Sequence, residues 1–458
     1  MTIADWTPEF SGTDRPHYVA IADAIGADIA SGRLKPGDRL PPQRQVAQRV
    51  ALDVSTISRA YAEAARRDLV DAHVGRGTFV KDPKSGTAPH DPRRALEEDP
   101  RMNMPPEPTG PKLIARMQAG LEHVSANIVH LLRYQTPTGS VKDREIAAQW
   151  MVSNGVDCAP DRLAITAGAH AAIQGALMVL RQPDTVVLSE QVTYPGIRAI
   201  CAELGLPLIG LEEDRDGITP DALHRALKTY PQAVLYLNPT LRNPTTHTVP
   251  ETRRGQIASL LERHGVPLIE DDAYRFIAQG TPQPFATHIP HLAWHIAGIS
   301  KVFGAGLRLA YVQVPDAVNV RRFVQSMRAT HVMTNTVSLA LLSTWMEDGT
   351  AAALQSFVRQ EAQHRQRMAA RILEGYRFAA DPMAYNIWLP LPEGLSRAEL
   401  LSGMARQPLG IMPSDAFTVG GDPSESVRVC LGGPASRSVI EAGLVALTDT
   451  LAGGNWSG

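Results

Sequence analysis

Apolar positions in the first eighty residues recur at helical spacing three times and then switch to strict alternation. Tyr18, Ile21, Ala22, Ile25 and Ile29 form one stripe over residues 16–31, closed by Gly32, a residue suited to the left-handed position after a helix. RLKPGDRLPP, residues 33–42, is a turn-rich connector. A short second helix is predicted over 42–50, and Ile57, Ala60, Tyr61 and Ala64 predict a third, capped by Ser55 and running to about Asp68. LVDAHVGRGTFV, residues 69–80, alternates apolar and polar positions about a Gly75-Arg76-Gly77 tip, as a hairpin does.

Beyond Pro111 the pattern changes to helical stretches alternating with short apolar runs: LAITAG at 163–168, TVVLSE at 185–190, AVLYLNP at 233–239, PLIEDD at 267–272 and the runs flanking Lys301. Such alternation predicts a mainly parallel sheet covered by helices, with ligand groups at the strand ends. From about Glu347 a long helical stretch leads into YNIWLPLP, GIMPSDAF and SVRVCLGG, which read as a smaller α+β domain. Residues 82–111 are rich in proline and charge and lack an apolar period. They read as a semi-extended linker, with an ordered strap over the large domain as the alternative for the second half. The expected organisation is therefore 1–81, a linker over 82–111, a large domain over 112–346 and a small one over 347–458.

Two short helices joined by the tight link at 51–54 suit a helix-turn-helix, whose second helix offers its first residues to base edges. Ser55, Thr56, Ser58 and Arg59 occupy that start, Arg44 lies on the preceding helix, and Arg76 with Gly77 forms a wing tip suited to a minor groove. The formal net charge of -2 excludes a globally basic nucleic-acid binder, so contact with DNA must use this local patch. At the other end of the chain, AGISKVFGAGLRLAYV sets Lys301 between an apolar run and a glycine-punctuated turn. An amine able to form a Schiff base, an acid among the carboxylates that end PLIEDDAY (267–274) for a heteroaromatic nitrogen, and Arg308 for a phosphate together meet the requirements of pyridoxal phosphate.

The order SGRLKPGDRLPPQRQVA, VSTISRAY, GRGTFV over residues 14–81 closely resembles the winged-helix domain of the GntR family of bacterial transcription regulators, with Pro42-Gln43 a departure before Arg44. The remaining segments, from MNMPPEP at 102–108 onward, resemble fold-type-I aminotransferases, and the combination is similar to the MocR subgroup of GntR regulators. The resemblance implies a multidomain fold: an amino-terminal winged helix-turn-helix and a carboxy-terminal α/β aminotransferase-like domain with a small α+β subdomain. It further implies Lys301 as the Schiff-base lysine, Asp271 on the pyridinium nitrogen, Tyr274 and Asn243 on the ring hydroxyl oxygen, and Tyr194 stacked on the ring. Backbone N–H groups near Ala169 and His170, with Arg308 and Ser300, would hold the phosphate. Tyr134 would reach the phosphate of a neighbouring subunit in a homodimer, and Arg428 would clamp an effector carboxylate. Three positions depart from the family pattern: Gly298 and Ala169 lack a phosphate-binding hydroxyl, and Thr246 replaces the glycine of N-P-T-G, so weaker cofactor binding is expected.

The resulting expectation is a regulator of promoter DNA that uses pyridoxal phosphate at Lys301 to sense an amino acid or amine, with aminotransferase activity at most residual. The alternative is a competent aminotransferase carrying a DNA-binding appendage. Composition narrows the setting: 44% hydrophobic and 20% charged residues are ordinary for a globular chain, and no apolar run approaches a membrane span. The opening MTIADWTPEF has neither a basic nor an apolar leader region, which predicts a cytoplasmic protein. Cys158, Cys201 and Cys430 show no C-x-x-C spacing, and His288, His291 and His295 are expected in the core or at the surface, with no metal bound.

Overall fold

The computed structural model describes residues 6–9, 16–35, 37–67, 69–73, 77–81 and 99–453. The chain divides into two compact units, Met1–Glu97 and Glu98–Gly458.

In the first unit, three helices, α1 (His17–Ala30), α2 (Gln43–Arg49) and α3 (Val54–Arg66), precede an antiparallel hairpin of β1 (Val70–His73) and β2 (Gly77–Val80). Ile57, Ala60, Tyr61 and Ala64 recur along one side of α3 and are buried with Ile21, Ile25, Leu40 and Val46. The Tyr61 hydroxyl keeps a partner inside that core by donating to the Pro41 carbonyl at 2.8 Å. The hairpin is tied to the connector before α2: Leu40 N–H donates to Thr78 O at 2.9 Å, and Val80 N–H to Asp38 O at 2.7 Å. One expectation is corrected. Helix α3 begins at Val54 with Asp53 at its cap position, so Ser55 is the second helical residue and does not cap it. Extended backbone at Asp53 (φ -64, ψ 144) ends the link earlier than the Ser-Thr pair suggests.

The second unit is built on a seven-stranded sheet. Its strands are β3 (Leu163–Thr166), β4 (Val186–Glu190), β5 (Leu208–Leu211), β8 (Ala233–Leu237), β9 (Leu268–Asp271), β10 (Ala293–Gly298) and β11 (Ala310–Gln313), with a small hairpin, β6 (Glu213–Asp214) and β7 (Gly217–Ile218), after β5. Their order is β3-β11-β10-β9-β8-β4-β5, and only β11 runs against its neighbours. Helices cover both faces, which is why the strands are apolar throughout: in β8, Val234 and Tyr236 enter one cluster while Leu235 and Leu237 enter another. The parallel arrangement brings the carboxyl ends of β3, β4, β8, β9 and β10 to one edge.

The helix Thr350–Ile372 leads to a three-stranded antiparallel sheet, β12 (Asn386–Pro390), β14 (Ser426–Cys430) and β13 (Ile411–Pro413) in that order, with its own core around Leu400, Val427, Val429 and Leu444. Residues 99–110 run as an ordered strap over the same unit and lead into the helix Pro111–Ser125. Two glycines accept the strap closely. A Cβ on Gly410 would lie 1.8 Å from the Pro100 carbonyl oxygen, and one on Gly432 would lie 1.9 Å from that of Met104. Among the described residues, no helix is long and apolar enough to cross a membrane.

Candidate functional site

Strand β10 ends at Gly298, and a short helix, Ser300–Phe303, carries Lys301 at the sheet edge; Ser300, half-buried, opens that helix. The Lys301 amine donates to the Asn103 carbonyl at 2.6 Å and lies 5.6 Å from the centre of the Tyr274 ring. Burial, reinforced by the positive charge of Arg428, lowers its pKa to about 8. A fraction of the amine is therefore neutral, and nucleophilic, near physiological pH.

Asp271 ends β9 beside it. Its Oδ2 accepts from the Tyr236 hydroxyl at 2.7 Å and its main-chain carbonyl accepts from Asn238 Nδ2 at 2.6 Å, while Oδ1 is buried without a partner. Burial raises the carboxyl to about 6, with Asp272 adding to the rise and the Tyr236 hydroxyl, Lys301 and His295 opposing it. An unpartnered, desolvated carboxylate oxygen at a ligand-facing strand end has the chemistry to receive a protonated ring nitrogen.

On the next loop, the Asn243 backbone N–H donates to Asn238 Oδ1 at 2.8 Å, and its side-chain Oδ1 accepts from Arg428 Nη1 at 2.7 Å. The peptide between Asn243 and Pro244 is cis, and Thr246 takes φ +59. That left-handed backbone is where the related N-P-T-G pattern uses glycine, so threonine holds a glycine-type conformation here at a cost of about 1 kcal/mol. Tyr274, buried, accepts on its hydroxyl from Asn103 Nδ2 at 2.9 Å.

At the corner expected to take a phosphate, Gly168 (φ +96) precedes the helix Ala169–Leu180. A Cβ there would lie 3.3 Å from Arg308 Nη2, so the guanidinium and the helix start converge, with exposed His170 in the first turn. Although its side chain reaches solvent, partial desolvation, with the charge of Arg308, lowers the His170 pKa and favours its neutral form. Arg308 itself holds φ +51 to turn into this corner. The two positions lacking hydroxyls are neighbours: a Cβ on Gly298 would meet Ala169 Cβ at 3.3 Å. A larger residue at 298 would crowd the helix start. Tyr194 precedes the helix Pro195–Leu204, and its ring closes over Gly196, where a Cβ would fall 2.2 Å from it. Tyr134 stands 87% exposed.

Arg428, on β14, is 3% exposed. Besides Asn243 it reaches the Arg101 carbonyl through Nη2, it lies 5.0 Å from the Phe417 ring centre, and its Nε has no partner. Lys301, Asp271, Tyr274, Asn243 and Arg428 are thus brought together by direct or shared contacts, and Gly168, Ala169 and Arg308 converge at a neighbouring corner. The residues present fit pyridoxal phosphate: an orphaned acid oxygen, a lysine of lowered pKa, and a helix start that a side chain at Gly168 would obstruct.

Sequence reasoning missed Asn103, Tyr236, Asn238 and Asn386. Tyr236 is hidden in an apolar strand, and its only signal is a hydroxyl on the same side of the sheet as Asp271. Behind β9, Glu270, Asp272 and His295 have ligand atoms within 4.8 Å of one another. Arg254 meets Glu270 at 3.1 Å and His295 meets Asp272 at 3.1 Å, all fully buried, so the guanidinium supplies counter-charge and the imidazole a hydrogen-bond partner there. His288 and His291 pair with Glu251 and Glu262 nearer the surface.

In the first unit, Ser55, Ser58, Arg59 and Arg44 are exposed and Thr56 is half-buried. The Arg59 guanidinium lies 4.5 Å above the Tyr18 ring centre, which holds it at the start of α3. Arg76 lies outside the described residues. Gly77 has φ +110, and a Cβ on it would lie 2.6 Å from Arg39 Nε. Arg39 therefore rests over the wing, a basic group missed in the sequence although its GDRLPP turn directly precedes α2.

Residues 103–442 match the family of class I and II aminotransferases, and residues 17–80 match the gntR family of bacterial regulatory proteins. The uncharacterized HTH-type transcriptional regulator YdeF of Bacillus subtilis (strain 168) is 29% identical over 462 residues, covering 96% of each chain. The vitamin B6 salvage pathway transcriptional repressor PtsJ of Salmonella typhimurium is 26% identical over 424 residues, covering 90% of this chain and 93% of the repressor. Among solved structures, an archaeal alanine:glyoxylate aminotransferase superposes with a TM-score of 0.71 at 20% identity, over 79% of this chain and 92% of that one. The chain belongs to the class I and II aminotransferase family and carries a gntR-family helix-turn-helix domain ahead of it, the MocR-type combination.

Proposed function

We propose that the protein is a DNA-binding transcription regulator of the cytoplasm whose aminotransferase-like domain holds pyridoxal phosphate and senses an amino acid or amine. The observation that carries this reading is one chain with two surfaces: exposed Ser55, Ser58 and Arg59 at the start of α3, and a buried Lys301–Asp271–Arg428 constellation at a sheet edge. Relatives over nearly full length that are named as HTH-type transcriptional regulators support it.

When bound, pyridoxal phosphate supplies a carbonyl carbon that exchanges one amine for another and a ring that draws electrons. Around it, Lys301 presents an amine that gives up its proton near pH 8. Asp271 offers its free Oδ1 to the ring nitrogen, and Tyr236 orients that carboxylate through Oδ2. Tyr274 and Asn243 would hold the ring hydroxyl, Tyr194 would stack on the ring, and Ala169, His170, Ser300 and Arg308 would hold the phosphate. Arg428 receives an acidic group of the ligand. Tyr134, exposed on its own protomer, would be free to reach a phosphate held by the partner subunit of a homodimer. Ligand binding then biases an equilibrium between arrangements that differ in affinity for promoter DNA.

Purified protein with pyridoxal phosphate should develop visible absorbance that borohydride fixes onto Lys301, and amino acids that alter the spectrum should alter binding to promoter DNA. A protein that stays colourless refutes the sensor. Fast keto-acid formation without specific DNA binding would establish the enzyme reading instead.

A further inference from the structure

We propose that residues 99–104 act as a built-in competitor that occupies the ligand-binding cations of the second unit and is expelled by an anionic ligand. Two main-chain carbonyls of this strap point at the two positive groups of the site: Asn103 O accepts from Lys301 Nζ at 2.6 Å, and Arg101 O accepts from Arg428 Nη2. A third, Met104 O, accepts from Gly433 N–H at 3.0 Å. The Asn103 side chain anchors the segment further, donating to the Tyr274 hydroxyl at 2.9 Å and to Asn386 Oδ1 at 3.0 Å. These are positions that ligand atoms would take: an amide carbonyl is a neutral acceptor where a carboxylate would form a stronger, charge-assisted bond to Arg428.

The seat is selective. Gly410 and Gly432 let the strap backbone approach within distances that any Cβ would forbid, and the atoms closest to a Gly410 Cβ are Pro100 O and C and Arg101 N. Yet the strap is not packed solidly on its flanks. A cavity of about 590 Å³ borders Met104–Pro108 beside Val302, Phe303 and Trp345. A second of about 440 Å³ borders Asp99, Pro100, Met102 and Met104 beside Cys430. Polar attachment with open space on both sides is what a displaceable segment needs. The strap continues, through residue 98, into the chain that leads to the first unit, so its release alters the connection to the DNA-binding module. This inference rests on the proposed sensor function for the identity of the competing ligand; the strap contacts themselves stand apart from it.

The test uses the full chain, trypsin, and propionate as a simple carboxylate probe. Cleavage after Arg101 requires the strap to leave its seat. Saturating propionate should accelerate that cleavage about tenfold or more, and Arg428→Gln should abolish the acceleration. Gly410→Ala should expose the bond without propionate and bind propionate about tenfold more tightly by calorimetry. Asn103→Ala, which adds no bulk, should do the same if the methyl at 410 impairs folding. Propionate that binds without changing cleavage overturns the proposal, as does an exposed bond in Gly410→Ala without tighter binding, or propionate that binds neither protein. Visible absorbance with pyridoxal phosphate, read in the same samples, separates the two readings. Its absence with propionate-dependent cleavage intact removes the cofactor and leaves the strap.

Discussion

Replacing Asp271 with asparagine should stabilise the cofactor-free protein while weakening its hold on the cofactor. The carboxyl is 3% exposed and its Oδ1 has no partner; burial, joined by Asp272, raises it to about 6 from an ordinary 3.8. Because the folded-state value lies above the unfolded one, the group favours the fold when protonated. That advantage is full below about pH 4 and is lost as pH rises through about 6. At pH 7 the buried charge costs the folded state about 3 kcal/mol relative to a group without this shift. An asparagine side chain would keep the acceptor for the Tyr236 hydroxyl and abolish the titration. The assay is urea unfolding of cofactor-free protein at pH 4.5 and pH 7. Asp271→Asn should gain up to about 3 kcal/mol at pH 7 and markedly less at pH 4.5, while its affinity for pyridoxal phosphate falls. An asparagine variant that is no more stable at pH 7, or that keeps the wild-type pH slope, would refute the account of Asp271 as a charge waiting for a cationic partner.

Capture of pyridoxal phosphate by Lys301, followed as growth of visible absorbance, should quicken about tenfold per pH unit below 8 and level off above it. Arg428→Gln should move the plateau to higher pH, since Arg428 helps to hold the amine down; an unmoved plateau would exclude that charge as a cause. Arg59→Ala should weaken binding to promoter DNA by about 1–3 kcal/mol without altering the cofactor spectrum, and unchanged binding would displace α3 as the reading helix. Glu270→Gln should destabilise the second unit by about 3 kcal/mol in urea, because Arg254 would be left as a fully buried charge.

The strand ends are legible in the sequence because period and position carry the information: an apolar run that stops at a carboxylate or an asparagine marks the edge where ligands gather, and β4, β8 and β9 end that way. Edge strand β5 does not stand out, since LPLIGL lacks the alternation and flanking turn residues that would set it apart from the helix before it. Asn103 is invisible for a different reason. Its partners Tyr274, Lys301 and Asn386 lie 171, 198 and 283 residues away, and no local period encodes contacts over such separations. Arg39 escapes notice for lack of a hairpin geometry to place it against, and the cap falls at Asp53 instead of Ser55 because cap preference ranks the two residue types alike. Thr246 is a recognisable departure in the sequence, but its left-handed backbone becomes evident only with the torsion angle.

The seating of residues 99–104 against two glycines also sets the length of a leash. While the six residues stay in place, the chain leading to the helix-turn-helix starts at residue 98. Once they leave, it starts near residue 105 and gains roughly 20 Å of extended reach. In a dimer that reach governs the effective concentration at which a second DNA-binding module meets its half-site. Ligand occupancy would then be reported to DNA as a change in how much chain the second unit holds.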